Sequence, residues 1–94
     1  MMVVGLLRVE LHVPMALSLK DKRSVVKSLK DQIRGRFNVA IAELDANEKW
    51  QRASLGVATL GDDRRYVDGC LQQVVEWVRG NRFVELIRVE QELW

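Results

Sequence analysis

The chain opens with alternating apolar and polar residues, which predict a β-strand over residues 3–13. Four apolar side chains share one face and three polar side chains share the other (Leu7, Val9, Leu11 and Val13, against Arg8, Glu10 and His12). Pro14 ends this strand because proline has no backbone N–H to donate to a sheet. The pattern indicates a half-buried strand with one face towards a core.

A helical period follows and predicts a first helix from about Leu19 to Arg34. Ser18 and Asp21 have the spacing of a capping box, and Gly35 is expected to stop the helix. The apolar positions that repeat at helical spacing are Val25, Val26, Leu29 and Ile33.

The remaining chain predicts two strands, a second helix and a final strand. Residues 38–45 and 52–60 are expected to pair as a hairpin. Residues 61–63 then cap a helix that ends at residues 80–81, with one apolar face (Val67, Cys70, Leu71, Val74 and Val78). Residues 83–93 form the fourth strand, where imperfect alternation predicts a bulge or a mobile end.

The order βαββαβ, with each helix apolar on one side, predicts a ferredoxin-like α+β fold in one domain spanning residues 1–94. Right-handed crossovers place strands one and three in the centre of a four-stranded antiparallel sheet, with both helices on one face. The opposite face of the sheet is expected to stay uncovered.

Charge is concentrated in one segment. The net charge is +2, but residues 20–36 hold seven cations and two acids, so this segment carries +5 and the rest of the chain −3. Cys70 is the single cysteine, which excludes an intrachain disulfide and favours a reducing cytoplasm. No signal peptide or membrane span is expected, and no membrane partner.

Five cations recur at steps of three and four residues and fall on an arc of roughly 80° around the first helix. This ridge favours contact with RNA phosphates, and Arg36 is added as a further contact; alternatives are a solvated face whose side chains cover the helix–sheet seam, or an acidic protein partner. The predicted nucleic-acid contacts are Lys20, Arg23, Lys27, Lys30, Arg34 and Arg36.

Two further polar residues invite a chemical interpretation. Lys22 projects into the apolar arc of the first helix, so it is expected to extend past the sheet into solvent, to pair with Glu43 or Asp45, or to serve as a catalytic amine. His12 is the only histidine and is expected at the surface or in a cross-strand hydrogen bond, and its use as a general base lacks a partnered nucleophile. No metal site, cofactor or catalytic residue is assigned.

The uncovered sheet face is expected to be flat and mildly apolar, from Ala40, Ala42 and Leu44 on strand two and from Ser54, Gly56, Ala58 and Leu60 on strand three. Without aromatic rings on the central strands, this face does not suit base stacking. Self-association through it, or through an edge strand, is expected. Trp50, Trp77 and Cys70 are expected in the core, or at an interface for the two tryptophans.

Several short segments resemble the YlxP-like family of small bacterial proteins. They are residues 3–5 (Val-Val-Gly), 17–23 (Leu-Ser-Leu-Lys-Asp-Lys-Arg), 36–39 (Arg-Phe-Asn-Val), 42–43 and 50–53. The resemblance implies a ferredoxin-like fold and a cytoplasmic bacterial protein whose function is unassigned. Genes of this family often lie beside those for translation-initiation and ribosome-binding factors, which implies a role in ribosome maturation.

The first hypothesis from the sequence is a non-enzymatic accessory factor bound to RNA or the ribosome through the first helix. The second is a homo-oligomeric protein-interaction module without a nucleic-acid role. A third, weaker hypothesis is an enzyme that uses Lys22 or His12 beside a carboxylate.

Overall fold

The alternating first strand forms the centre of a four-stranded antiparallel sheet in the computed structural model, which describes residues 1–44 and 49–94. The elements are β1 (Val3–His12), α1 (Leu19–Arg36), β2 (Ala40–Leu44), β3 (Arg52–Gly61), α2 (Arg64–Arg79) and β4 (Glu85–Leu93). The strand order β2-β3-β1-β4 confirms the predicted ferredoxin-like α+β fold.

One face of the sheet carries the core. The inward side chains of β1 are buried as predicted, and β3 supplies Leu55 and Val57 beside them. Helix α2 packs over β1, β3 and β4, whereas α1 packs over β2 and touches α2 along its other side. The helices contribute mostly aliphatic residues to this core (Val26, Leu29 and Ile33 from α1; Val67, Leu71, Val74, Val75 and Val78 from α2). The opposite sheet face has no helix over it among the described residues.

The ends of α1 follow the predicted capping at its start but not at its stop. The Ser18 hydroxyl accepts a hydrogen bond from the Asp21 backbone N–H at 3.1 Å, and the Asp21 carboxylate accepts one from the Leu17 N–H at 3.0 Å. The predicted stop at Gly35 is wrong, since α1 continues to Arg36 and ends at Phe37. Phe37 packs against the core and donates its N–H to the Ile33 carbonyl, which holds the last turn together beyond the glycine.

The irregular apolar pattern of the last strand corresponds to a β-bulge, as predicted. Glu10 pairs with Arg88 and Leu11 with Leu86, so Ile87 is an extra residue in β4. The bulge lets Leu86 pack against the core on one side of the shift and aims Arg88 at the open face on the other.

Helix α2 approaches the sheet closely at Gly5 in β1. A Cβ atom at this position would lie 2.6 Å from Val67 Cγ1 and 2.8 Å from Leu71 Cδ1. Both of these α2 residues are fully buried, so neither side chain has room to withdraw. A residue without a side chain at position 5 therefore lets α2 rest directly on the central strand.

Replacing Gly5 with Ala is expected to lower the free energy of unfolding by about 1–3 kcal/mol, because the added methyl group overpacks this contact. Urea denaturation monitored by circular dichroism measures the change. Gly69→Ala in α2 is the matched control, because its Cβ would meet nothing within 4 Å. That control is expected to gain about 0.5–1 kcal/mol from helix propensity. Equal stability of Gly5→Ala and the wild type would contradict the proposed packing.

Candidate nucleic-acid interface

The five predicted ridge cations lie along the outer flank of α1, on the side of the edge strand β2. All are exposed except Lys30, which is half-buried. Arg34 fixes the orientation of this flank, since its Nη2 donates a hydrogen bond to the Ile41 carbonyl of β2 at 3.2 Å. The end of the ridge therefore covers part of the helix–sheet seam, which is the structural role considered from the sequence. The cationic ridge consists of Lys20, Arg23, Lys27, Lys30 and Arg34.

One acid interrupts the cationic ridge. Asp31 accepts from Lys27 Nζ at 2.9 Å and from Arg34 Nη1 at 3.3 Å. The hydrogen bond from Lys27 is the main cause that lowers the pKa of Asp31 below its usual value, with Arg34 adding to the effect. Within the described residues, Lys20, Arg23 and Lys30 have no carboxylate within salt-bridge distance. The ridge thus consists of three cations without a carboxylate partner and two that share Asp31.

Arg36 lies outside the cationic ridge. Its guanidinium stacks over the Trp77 ring of α2, 3.9 Å from the ring centroid. On the helical projection Arg36 falls about 160° from Lys20, so the sequence already separates it from the other five. The structure brings together five of the six predicted contacts and places the sixth between the two helices.

Lys22 is not exposed, contrary to the expectation that it extends into solvent. It is 2% exposed and lies in α1 beside Val26 and Leu29 in the buried set. Lys22 is not without a partner. Of the two acids considered, Glu43 is half-buried on β2, and Asp45 lies outside the described residues. A side chain sealed in this way is inaccessible to a substrate, which argues against a catalytic amine.

His12 has the cross-strand role predicted for it. Its Nδ1 lies 3.3 Å from Oε2 of Glu85, the residue opposite it on β4. The pair stands at the end of the open sheet face, with both side chains partly in solvent. The contact with Glu85 explains why a polar side chain lies at position 12, and this explanation requires no catalytic role for His12.

Charged side chains occupy the half of the open sheet face that β1 and β4 form. Glu10 accepts hydrogen bonds from the Ser54 hydroxyl and from Arg8 Nε, the latter at 3.0 Å. The Ser54 bond is the main cause that holds the pKa of Glu10 below its usual value; partial burial opposes it and Arg8 reinforces it. Arg88 pairs with Glu90 on β4 at 3.1 Å.

Small and aliphatic residues occupy the other half of this face, as predicted. Ala40 pairs with Ala58 and Ala42 with Gly56 across β2 and β3. Leu44 folds over Gly56, where a Cβ would lie 3.0 Å from its Cδ1. Leu6 and Leu60 extend the apolar surface and are exposed. The residues lining the depression on this face include no aromatic ring, which agrees with the expectation that it does not stack bases.

A second surface, between the two helices, was not anticipated from the sequence. A continuous groove follows the seam of α1 and α2, and it is named here the interhelical groove. Its aromatic side chains are Phe37, Tyr66, Trp77 and Phe83, and its cationic side chains are Arg36, Arg65 and Arg82. Trp77 is half-buried and packs against the core, in line with its prediction. Cys70 is only half-buried, so its core prediction is wrong. Trp50 is exposed, which excludes the core position and leaves the interface position as a prediction. On the helical projection, Trp77 lies at the edge of the apolar stripe of α2. That position is the feature of the sequence from which a residue in the groove could have been predicted.

Comparison with known proteins identifies the family. Residues 4–91 match a family described as "Protein of unknown function (DUF503)". The chain belongs to this family. It is also 36% identical over 61 residues to "Uncharacterized protein YlxP" of Bacillus subtilis (strain 168), and the match covers 65% of this chain and 66% of that protein, just under two thirds of its length. The resemblance to YlxP-like proteins is therefore confirmed.

The described residues show neither a metal-binding cluster nor a membrane-spanning helix. The described residues contain no group of three or more His, Cys, Asp or Glu side chains arranged to hold a metal ion. Over the same part of the chain, no helix is both long enough and apolar enough to span a membrane.

Removing the Ser54 hydroxyl is expected to raise the pKa of Glu10 towards its ordinary value of 4.5. A lowered carboxyl pKa in the folded state stabilises the protein above the unfolded-state pKa, and this contribution is lost as the pH falls through the folded-state pKa. The stability difference between wild type and Ser54→Ala is therefore expected to shrink as the pH falls below about 4.5. Urea unfolding across that pH range measures it.

The control for this effect places both proteins in a Glu10→Gln background, where position 10 does not titrate. There the stability difference caused by Ser54→Ala is expected to be independent of pH. A difference that stays constant with pH in the native background as well would show that Ser54 does not act on the Glu10 carboxylate.

Proposed function

We propose that the protein is a non-enzymatic, cytoplasmic accessory factor that associates with RNA or the ribosome through the cationic ridge of α1. The observation that carries this proposal is that Lys20, Arg23 and Lys30 share one flank of α1 and make no salt bridge among the described residues, with Lys30 acting on Asp31 only through its charge. Cations that no acid holds are free to exchange water and counterions for phosphate oxygens.

The length of the ridge suits a polymeric anion better than a small one. From Lys20 to Arg34 the helix rises about 21 Å, at about 1.5 Å per residue. Adjacent ridge cations are one helical turn apart, so a strand of phosphates along α1 meets several charges in succession. Such contacts give affinity and salt dependence but do not read sequence.

The two residues considered for catalysis support a non-enzymatic role. Lys22 is buried in the core, out of reach of a substrate, and His12 is engaged with Glu85 at the open face. The Glu10 carboxylate is likewise engaged, because it accepts hydrogen bonds from Arg8 and Ser54, and it lies on the open face of the sheet and not in a closed pocket.

Replacing Lys20, Arg23 and Lys30 together with Gln is expected to weaken binding to single-stranded RNA. The slope of log affinity against log salt is expected to fall by about 2, since each phosphate contact on a single strand contributes about 0.7. Fluorescence anisotropy of a short labelled RNA over a salt series measures affinity and slope together. Sedimentation with ribosomes from lysate, with and without ribonuclease, then tests the cellular partner.

The matched control is the triple replacement of Lys49, Arg52 and Arg64 with Gln, which removes the same charge away from α1 and away from the interhelical groove. It is expected to keep most of the affinity and the slope. Asp31→Asn is expected to act in the opposite direction to the ridge variant, because it releases Lys27 and Arg34 for phosphate contacts. Equal loss of affinity in the two triple variants would mean that net charge, not the ridge, determines binding.

Self-association through the open sheet face is the second candidate function. The apolar half of this face, formed by β2 and β3, lies beside a charged half formed by β1 and β4. A twofold axis in the interface plane, perpendicular to the strands, places each strand over its own copy with the strand direction reversed. The apolar halves then meet, and Arg88 of one copy faces Glu92 of a second copy.

The geometry favours this face over an edge strand as the contact. Arg34 already donates to a backbone carbonyl of the edge strand β2, and that strand has only five residues. The twofold axis lies level with Glu90 and with Arg8, its partner in register, so each of these two residues meets its own copy while Arg88 and Glu92 meet as opposite charges. A second copy of the chain thus complements this face in apolar area and through the two Arg88–Glu92 pairs.

Ala42→Glu is expected to leave the protein monomeric, because it places two like charges together at the centre of the apolar contact. Arg88→Glu and Glu92→Arg are each expected to weaken self-association, and the double exchange is expected to restore it because opposite charges meet again. Light scattering at micromolar concentration measures the mass. Arg64→Glu, at the start of α2, is the control and should not change it. A monomeric mass for the wild type would contradict this candidate.

A further inference from the structure

The interhelical groove collects most of the aromatic side chains of the protein. The chain has three tryptophans, one tyrosine and two phenylalanines, and four of these six residues line the groove. Tyr66 is 53% and Phe83 48% exposed, so large apolar rings stand in solvent at both ends of the groove. Exposed aromatic residues grouped along one groove indicate a binding surface, since scattered ones would carry no such meaning.

Arginine accompanies the rings along the whole groove. Arg36 stacks on Trp77 at 3.9 Å, Arg82 lies 5.2 Å from the ring centroid of Phe83, and Arg65 is the neighbour of Tyr66. Glu76 is the one carboxylate among the lining residues that the structure describes, and it is engaged by Arg79 at 3.5 Å. The groove is therefore positively charged as well as aromatic.

The contact of Arg36 and Trp77 is suited to exchange. Arg36 makes no salt bridge within the described residues, so its guanidinium is held mainly by the ring beneath it. The Trp77 Nε1 is buried and has no hydrogen-bond acceptor in the described part of the chain. A ligand that stacks on the Trp77 ring in place of Arg36, and brings an anionic group for the guanidinium, would replace the contact that holds Arg36.

The shape of the groove fits a chain rather than a single small molecule. Its upper part, between Val25 and Phe83, has a volume of about 550 Å³, and its lower part beside Tyr66 about 370 Å³. The middle part of the groove shares Trp77 with the upper part and Arg36 with the lower part, so the three parts are continuous. Alternating rings and cations along a continuous groove match single-stranded nucleic acid, whose bases stack on the rings while phosphates meet the cations.

We propose that the interhelical groove binds unpaired bases of single-stranded RNA, with Tyr66, Trp77 and Phe83 as stacking surfaces and Arg36, Arg65 and Arg82 as phosphate contacts. This proposal rests on the proposed RNA association and assigns the bases a site separate from the cationic ridge. An acidic peptide could match the charge of the groove, but it would leave three aromatic rings without a planar partner.

Trp77 provides a direct reporter of occupancy. In the background Trp50→Phe with Trp94→Phe, Trp77 is the remaining tryptophan, and its fluorescence reports on the middle of the groove. A short oligouridylate is expected to quench this fluorescence, and the same oligonucleotide paired with oligoadenylate is expected to quench it far less, because paired bases are unavailable for stacking. Quenching by the duplex to the same extent would overturn the proposal, as would quenching by polyglutamate but not by oligouridylate.

Substitution of the exposed rings tests their contribution to affinity. Tyr66→Leu and Phe83→Leu are each expected to weaken oligouridylate binding about tenfold, with the salt slope unchanged, because stacking releases no counterions. Trp50→Leu and Trp94→Leu are matched controls, since these rings are 55% and 68% exposed outside the groove and should not affect affinity. Thermal unfolding of each variant verifies that the fold is retained.

The outcomes separate this proposal from the proposed function. RNA binding that depends on the cationic ridge but is insensitive to Tyr66→Leu and Phe83→Leu would overturn the groove site and leave the RNA association standing. Binding that weakens in the groove variants but not in the ridge variant would support the groove and contradict the ridge as the phosphate site. Absence of any RNA binding by the wild type at low salt would overturn both.

Discussion

The contact between α2 and the central strand β1 determines where every surface of the molecule lies. Gly5 admits Val67 and Leu71 to within van der Waals distance of the strand backbone, and the apolar stripe of α2 continues along the same line. With α2 seated over β1, β3 and β4, the remaining cover for β2 comes from α1. Helix α1 is therefore displaced towards the edge of the sheet, and its two flanks differ: one faces solvent beyond β2 and carries the cationic ridge, and the other faces α2 and forms the interhelical groove.

Among the residues that the structure describes, the same packing leaves the second face of the sheet without a helix, and the side chains there differ from strand to strand. Glu10, held by Ser54 and Arg8, makes the β1 and β4 half polar, whereas alanine and glycine keep the β2 and β3 half flat. This division limits what can cover the face. A uniformly apolar partner would leave the charged half against an apolar surface, while a partner with the same division would set charged side chains against that half.

The sequence predicted the elements whose signals are local. Alternation in β1, the cap at Ser18 and the irregularity of β4 are each contained within a few residues, and all were confirmed. The features that it missed depend on distant residues. Gly35 stays helical because Phe37, two residues further on, packs against the core. Lys22 is buried because residues distant in the sequence cover the first turns of α1. The stacking of Arg36 on Trp77 joins residues on two helices, so a helical projection of either one shows a flank but not its partner.

The two flanks of α1 would contribute to RNA binding by different physical means. Ridge contacts gain free energy from counterion release, which weakens as salt increases, and Asp31 already reduces the charge available to an anion. Stacking in the groove is insensitive to salt and requires unpaired bases. A duplex can therefore engage the ridge alone, whereas a single strand that crosses α1 can engage both flanks. On this proposal, selectivity for unpaired RNA would come from the groove, which the width of one helix, about 10 Å, separates from the cationic ridge.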